Sequence, residues 1–161
     1  MSEKRERIYF DLDSNDWHGQ PNEGLWAEPV ENSPSGTVYR LMNSPFFARG
    51  VSYLDMVRAA PRSEGAGLQF AGVLDRAGHS TYMILASPNC PDLDEYWKKL
   101  EAIGCTYEST TLNTKHGKKV LYSIDVPDST DLYAVYSILE DGEKNGVWMF
   151  QEGHVGHQLR R

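Results

Sequence analysis

The chain has 161 residues, of which 40% are hydrophobic, and it carries a formal net charge of −7. This length and composition allow a sizeable buried core, and they exclude an intrinsically disordered chain and a miniature protein held together by disulfides. The acidic balance argues against nucleic acid as a partner and favours an electropositive protein. Residues 1–7 are too charged for a signal peptide, and no apolar run is long enough to span a membrane. We therefore expect a cytoplasmic protein without membrane association.

The first half of the chain consists of short strand-like segments separated by turns. Ile8, Phe10 and Leu12 alternate with polar residues, which is the period of a strand with one buried face. Further strands are predicted near residues 24–30, 37–42, 56–60 and 68–74, with a short helical turn near Leu54. Gly, Pro and Asn residues separate these segments. The pattern predicts a small antiparallel β-barrel or curled sheet over residues 1–78.

The second half begins with an apolar run without alternation at residues 82–86, which indicates a strand buried on both faces. A first helix is predicted to start at a capping box formed by Asp92 and Glu95 and to end at Gly104. A polar strand at 106–111, a loop at 113–118 and an alternating strand at 120–126 follow.

A second helix is predicted to open at Pro127 and Asp128 and to be stopped by Gly142, before a last strand at 147–151. The order β-α-β-β-α-β over residues 79–161 predicts a ferredoxin-like unit, so the chain as a whole is expected to be α+β. Helices cover only one face of such a sheet, so its first strand needs a second cover. The N-terminal strands, a partner protein or a second copy could supply it, which leaves monomer and dimer open.

The titratable residues give weak signals for chemistry. His79 beside Ser80 suggests a base and a nucleophile, but adjacent strand residues point to opposite faces. His154 and His157 suggest metal ligands, but they are predicted to lie in a tail without a third ligand nearby. Asp11 and Asp13 lie on one strand face, which is more typical of a solvated edge. We therefore predict no metal, no cofactor and no catalytic residue.

Two cysteines, Cys90 and Cys105, flank the first predicted helix. A helix of about ten residues is about 15 Å long, whereas the Cα atoms of a disulfide lie within about 7 Å of each other. The two thiols are therefore expected to be unpaired, as is usual in the cytosol.

Two groups of residues are candidates for binding a partner. Trp17 lies in a polar turn and Phe46 and Phe47 follow a proline, so these rings have no obvious core to enter. Carboxylates cluster near the end of the second helix, against the dipole preference for cations there. The predicted partner-binding residues are Trp17, Phe46, Phe47, Glu140, Asp141 and Glu143. Four other aromatic residues, Trp97, Tyr122, Tyr136 and Phe150, are predicted to fit the core.

Six spaced segments carry a family resemblance, which covers about residues 6–157: EGLWAE at 23–28, YRLMNSPF at 39–46, GVSYLDMV at 50–57, GHSTY at 78–82, IDVP at 124–127 and QEGHVGH at 151–157. In this order they resemble a family of short bacterial proteins catalogued only as a domain of unknown function. The resemblance implies no activity and no site residue. One departure is Met83, where similar sequences are expected to have Arg.

The hypothesis that these features favour is a non-enzymatic binding protein, most readily an immunity-type inhibitor. It would neutralise a basic toxin domain, for example a nuclease, through an acidic surface. An alternative is a small-molecule-sensing module with its ligand between barrel and sheet near Trp26, Phe47 and Tyr82. A third hypothesis is a hydrolase or nuclease that uses His79, Asp11 or His154.

Overall fold

The computed structural model describes residues 5–30 and 37–158. Five strands form a first sheet, which closes into a barrel: β1 (Glu6–Asp11), β2 (Asn22–Pro29), β3 (Val38–Leu41), β4 (Met56–Pro61) and β5 (Leu68–Asp75). Four strands and two helices follow: β6 (Ser80–Ala86), α1 (Leu93–Ala102), β7 (Thr106–Thr114), β8 (Gly117–Val126), α2 (Leu132–Lys144) and β9 (Met149–His154). The predicted α+β class is confirmed. Neither α1 nor α2 is long and apolar enough to cross a membrane.

The barrel is antiparallel except where it closes, because β1 pairs antiparallel with β2 and parallel with β5. The alternation read from the sequence holds, since Ile8 and Phe10 point into the barrel and are at most 5% exposed. Two register shifts between β4 and β5 provide the local bending that a small barrel needs. The predicted small barrel or curled sheet is therefore confirmed.

The second sheet has the strand order β7-β8-β6-β9, so the first and third strands of the unit lie in the centre. This is the order of the predicted ferredoxin-like unit. Every residue of β6 except Leu85 is buried, whereas most of the edge strand β7 is exposed. Both helices pack on one face, where Leu100, Val135 and Leu139 meet the buried strand residues.

The opposite face of this sheet is covered by the connection between β3 and β4, at residues 43–55. The Ser123 hydroxyl lies 2.9 Å from Ser44 Oγ and 2.5 Å from the Pro45 carbonyl oxygen. Ser52 and Thr81 share a hydrogen bond of 2.7 Å between their hydroxyls, and both residues are fully buried. The second cover of β6 is thus supplied by the N-terminal half, through a loop and not through the barrel strands themselves.

Within this connection the predicted helical turn near Leu54 is wrong. Residues 52–55 form a tight turn in which Asp55 N donates to the Ser52 carbonyl oxygen at 3.1 Å. Leu54 adopts a left-handed backbone with φ of 71°, a conformation that costs a non-glycine residue about 1–2 kcal/mol. The Asp55 carboxylate holds the turn by accepting from Ser52 N.

Both helix starts differ from the sequence prediction. Asp92 is the N-cap residue of α1, but its side chain makes no cap hydrogen bond, so the predicted capping box is wrong. α2 starts at Leu132 and not at Pro127, because residues 127–130 form a turn with Thr130 N donating to the Pro127 carbonyl oxygen. The side chain of Asp131 caps α2 by accepting from Tyr133 N at 3.0 Å.

The prediction that Gly142 stops α2 is also wrong, because the helix continues to Lys144. Gly142 lies inside the helix where the Trp148 ring packs against it, and a Cβ there would lie 2.5 Å from Trp148 Nε1. That indole nitrogen donates to the Leu139 carbonyl oxygen at 2.9 Å. Glycine is required here by close packing and not by chain reversal.

Strand lengths differ as well. The predicted loop at 113–118 is a turn of two residues, since Thr114 pairs directly with Gly117. The last strand runs over Met149–His154 and not over 147–151, so His154 lies in a strand where a tail was predicted. Val147 and Trp148 precede the strand and are buried against the helices.

Candidate functional site

The predicted aromatic residues form one cluster on the barrel side of the molecule. The ring centroids of Trp17 and Phe47 are 6.0 Å apart, those of His18 and Phe47 are 4.7 Å apart, and those of Phe46 and Phe47 are 6.4 Å apart. Trp17 is 45% exposed, so the cluster has one open ring. Trp17, Phe46 and Phe47, for which the sequence indicated no core, therefore pack mainly on each other.

Glu23, the first residue of the EGLWAE segment, fixes the loop that carries this cluster. Its Oε1 accepts from the amides of Phe47 and Ala48 at 3.0 and 2.8 Å, and its Oε2 accepts from Phe46 N at 2.7 Å. Charge-assisted hydrogen bonds to three consecutive amides hold the segment rigidly. This carboxylate therefore has a positioning role within the fold.

The predicted acidic residues lie at the end of α2, and two of them have partners within the fold. Asp141 accepts from Tyr96 Oη at 3.2 Å and from the Asn145 side-chain amide. Glu143 accepts from Phe150 N at 3.2 Å. Glu140 is exposed, with its side chain directed away from the core. Of the predicted acidic cluster, Glu140 is thus the member most available to a partner.

The aromatic and the acidic candidates do not form one surface. The aromatic cluster lies on the side of the sheet that the 43–55 connection covers, whereas α2 lies on the other face. The acidic residues instead adjoin two tyrosines that are 58% and 45% exposed, Tyr133 and Tyr136. We refer to Tyr133, Tyr136, Glu140, Phe150 and Glu152 together as the α2 outer face.

Tyr136 was predicted to lie in the core, and this is wrong. The buried side of α2 is formed by Leu132, Val135 and Leu139, and Tyr136 lies beside that stripe with its ring against Phe150 at a centroid distance of 5.7 Å. Trp97, Tyr122 and Phe150 are partly buried and pack against the core.

Tyr133 was missed by sequence reasoning. Its spacing of three residues from Tyr136 and seven from Glu140 on a helix was the available signal.

The register of β9 with β6 places Glu152 close to this surface, because Glu152 pairs with Tyr82 and Phe150 pairs with Ile84. Burial raises the pKa of Tyr82 to about 12, and the nearby Glu152 carboxylate and Tyr136 hydroxyl act in the same direction. Tyr82 faces the helices and is 2% exposed, so Glu152 lies on the helix side of β9 with Tyr136. The α2 outer face therefore combines two exposed tyrosines with two exposed carboxylates, Glu140 and Glu152.

A cleft of about 430 Å³ lies between the barrel and the edge strand β7. Trp26 and Phe47 line it, but Tyr82, the third residue of the predicted ligand site, faces the opposite side of the sheet. The guanidinium carbon of Arg7 lies 5.0 Å from the centroid of Trp26, which is 42% exposed. Gly24 permits this contact, because a Cβ there would lie 2.7 Å from Arg7 Nε.

Ser80 and His157 form a pair that resembles a nucleophile with its base. Ser80 Oγ lies 2.6 Å from His157 Nδ1, and His157 Nε2 lies 2.8 Å from the Pro127 carbonyl oxygen. The carbonyl can only accept, so Nε2 donates to it, and in the neutral imidazole Nδ1 then accepts from the hydroxyl. Ser80 is fully buried and also accepts from Gly156 N at 2.9 Å. The pair fastens the C-terminal segment to β6 and offers no open nucleophile.

His79 pairs with Asp125 instead of with Ser80. The distance from Nδ1 to the Asp125 carboxylate is 2.7 Å, and the Tyr53 and His79 rings make a T-shaped contact with their centroids 5.7 Å apart. Burial raises the pKa of Asp125, while the hydrogen bond and charge of His79 oppose that rise. Asp125 was missed by sequence reasoning, although an acid in the apolar IDVP segment was a signal. The pair joins the start of β6 to the end of β8.

The three residues of the predicted hydrolase or nuclease site do not converge. Asp11 is exposed at the end of β1, His79 is bonded to Asp125, and His154 Nε2 accepts from Arg76 at 2.9 Å. Among residues 5–30 and 37–158 no three His, Cys, Asp or Glu side chains are grouped so that they could hold a metal ion. The rings of His154 and His157 are each engaged with other partners.

Cys90 and Cys105 are both unpaired, as the sequence predicted. Cys105 is 2% exposed, and burial together with the nearby Asp125 raises the pKa of its thiol to about 12. It therefore remains a neutral thiol in the core.

A family model described as the domain of unknown function DUF4265 matches residues 23–150. The chain belongs to this family. Membership confirms the resemblance read from the six segments, of which EGLWAE and the segments up to IDVP lie within the match. No curated protein sequence matches the chain.

The chain is also similar to a solved structure, a crystal structure of a hypothetical protein from Neisseria gonorrhoeae. The two are 16% identical with a TM-score of 0.69, and the match covers 98% of this chain and 99% of the other. At this identity the likeness shows a shared fold over the full length.

Proposed function

We propose that this chain is a cytoplasmic, non-enzymatic binding protein of the immunity type, which neutralises a basic toxin domain such as a nuclease. The observation that supports this function is the α2 outer face. It combines two exposed tyrosines and the exposed Glu140 on a helix that is packed against the core with the exposed Glu152 on the neighbouring β9.

Tyrosines are suited to anchor a protein partner, because each offers a large apolar ring with a polar tip and loses little conformational entropy on binding. Tyr133 and Tyr136 lie on successive turns of α2, and the second ring is held by Phe150. The face is therefore preorganised, which lowers the cost of association.

Charge determines the kind of partner. Glu140 and Glu152 are the exposed carboxylates of the α2 outer face, and the whole chain carries a formal net charge of −7. Such a surface attracts a basic protein, raises its association rate and disfavours acidic competitors. Basic nuclease domains have this charge because they bind nucleic acid.

The test starts with a partner captured by affinity purification from the native host. Expressed alone, the partner should stop growth, and co-expression of this chain should restore it. Calorimetric titration of the purified partner should then show that Tyr136→Ala weakens binding about tenfold or more. Glu140→Lys should slow association and reduce the dependence on salt.

The matched control is Trp17→Ala, which removes an exposed ring on the other side of the sheet. It should leave the affinity within about twofold of the unsubstituted protein. Loss of binding in Trp17→Ala with unchanged binding in Tyr136→Ala would contradict the proposed surface. A partner that is harmless to the cell would contradict the inhibitor function.

A second candidate, a small-molecule-sensing module, is favoured by the cleft that Trp26 and Phe47 line. Its volume of about 430 Å³ is within the range of ligand sites. A metabolite library screened by thermal shift should then contain compounds that stabilise the protein but not Trp26→Ala. If every stabilising compound acts equally on both proteins, this second candidate is wrong.

A further inference from the structure

The two edges of the four-stranded sheet differ in whether their backbone groups are already used. At β9, Phe150 N donates to the Glu143 carboxylate, and the Gly153 carbonyl oxygen accepts from Gly50 N at 3.0 Å. The protein thus caps this edge with its own groups. At β7, no hydrogen bond from elsewhere in the described chain reaches the outer side of the strand. Among residues 5–30 and 37–158, nothing pairs with the outer edge of β7 along its nine residues.

The register shows which amides of β7 point outward. Thr114 pairs directly with Gly117 across a two-residue turn, so these two residues exchange backbone hydrogen bonds. The pairing continues without a register shift to Thr106. Because hydrogen-bonded positions alternate, the even-numbered residues bond to β8, and the amides of Tyr107, Ser109, Thr111 and Asn113 point outward.

The side chains at the even-numbered positions face the cleft beside the barrel. Glu108, Thr110 and Leu112 line it opposite Trp26. The Glu108 carboxylate accepts from the neutral Asn43 side-chain amide at 3.1 Å, and within the described chain no ion pair joins it to a cation. The strand carries neither a proline nor a lysine within Thr106–Thr114, the devices that commonly protect an edge.

We propose that the open edge of β7 binds an extended segment of another protein, which adds to the sheet as a further strand and places a Lys or Arg opposite Glu108. Backbone hydrogen bonds to the outward amides supply affinity, and every second side chain supplies specificity. Thr110 favours a β-branched residue opposite it, and Leu112 favours an apolar one that enters the cleft toward Trp26. The recognised pattern is a basic, a β-branched and an apolar residue at alternate positions.

Charge favours a basic segment over a second copy of the chain. Each copy carries a formal net charge of −7, so aligning β7 with its own counterpart brings two acidic molecules together. A segment with Lys or Arg has the complementary sign. β7 and β9 are the two opposite edges of the four-stranded sheet. The proposed binding at β7 therefore does not rest on the inhibitor function proposed for the α2 outer face.

The experiment uses the full chain and a phage-displayed library of random linear peptides. Enriched peptides are synthesised and titrated against the unsubstituted protein, Thr111→Pro and Thr111→Ala. Proline at 111 removes an outward amide without removing a hydrogen bond to β8. It should weaken binding about tenfold or more, whereas Thr111→Ala keeps the amide and should stay within about twofold.

A second measurement locates the bound peptide on the unsubstituted protein by amide hydrogen exchange. It tests the proposal even if Thr111→Pro does not fold. Bound peptide should slow amide hydrogen exchange at Tyr107, Ser109 and Thr111, with Glu108 and Thr110 unchanged because they already bond to β8. Glu108→Lys should lose the basic peptides and bind the same peptides with Glu in place of the basic residue.

Three results would overturn the proposal. The first is a selection in which no peptide is enriched more strongly on this protein than on an unrelated acidic protein. The second is peptides that bind Thr111→Pro as tightly as Thr111→Ala, or that protect amides of α2 instead of β7. The third is a dimer in solution that Thr111→Pro converts to a monomer, which would assign the edge to a second copy.

Discussion

Replacement of Asp55 by alanine tests how the 43–55 connection is held against the sheet. Asp55 is 1% exposed, and its two carboxylate oxygens accept from different amides, Ser52 N at 2.9 Å and Ala77 N at 3.0 Å. One bond closes the turn that contains Leu54, and the other ties the end of the barrel to the connection. The carboxylate therefore joins the barrel to the segment that covers β6.

The magnitude follows from these two hydrogen bonds. A hydrogen bond to a charged group contributes about 1.5–3 kcal/mol, and Asp55→Ala removes two of them, leaving the buried amide of Ser52 without a partner and the partly buried amide of Ala77 without its bond. The contact with Arg76 at 3.5 Å adds little, because that side chain is 43% exposed. We expect Asp55→Ala to lower the free energy of unfolding by about 3–5 kcal/mol.

Urea denaturation followed by far-UV circular dichroism measures this change, and Asp75→Ala is the matched control. Asp75 is an exposed aspartate at the end of β5, so its loss should change the free energy of unfolding by about 0.5 kcal/mol or less. Amide exchange at Ser52 and Ala77 should accelerate in Asp55→Ala. A variant within about 1 kcal/mol of the unsubstituted protein, with both amides still protected, would refute the reasoning.

Three further predictions concern single residues. Gly142→Ala should destabilise by about 1–3 kcal/mol in urea denaturation, because the clash with Trp148 outweighs the gain of about 1 kcal/mol in helix propensity; a stabilised variant would contradict this packing. Burial is the largest cause that lowers the pKa of His154, and the charge of Arg76 lowers it further. His154 therefore binds a proton less readily in the folded protein than in the unfolded chain, where its pKa is about 6.5. The free energy of unfolding should accordingly decrease as pH falls below about 6.5. His154→Gln should show a smaller loss between neutral and mildly acidic pH, and an equal loss in both proteins would exclude this cause. Iodoacetamide should alkylate Cys90 far faster than Cys105, as mass spectrometry can check, since only Cys105 has a fully buried thiol.

The sheet architecture could be predicted because it depends on local hydrophobic patterns. The strand at residues 82–86 has no alternation and the strand starting at Thr106 is polar, and this contrast places one in the centre and the other at an edge. Gly142 shows where such patterns fail. Gly142 is needed because the Trp148 ring, six residues later in the chain, packs against the helix at this position. The general preference of glycine for helix ends could not predict this contact.

The polar pairs of the candidate site lay beyond sequence reasoning because they join distant positions. Asp125 and His79 are 46 residues apart, and Ser80 and His157 are 77 residues apart, so only the register of β6 with β8 and the path of the C-terminal segment bring them together. Tyr136 was misplaced for a different reason. Its helical spacing from Leu132 and Leu139 predicted that it shares their apolar face, but it lies at the border of the buried stripe that Leu132, Val135 and Leu139 form.

The most direct test of the proposed function is a hydrogen-exchange map of the complex between this chain and its captured partner. We expect slower exchange in α2 and in β9 around Phe150 and Glu152, with little change in the turn that carries Trp17. Protection confined to the barrel, with α2 unchanged, would contradict the claim that the α2 outer face binds a basic partner.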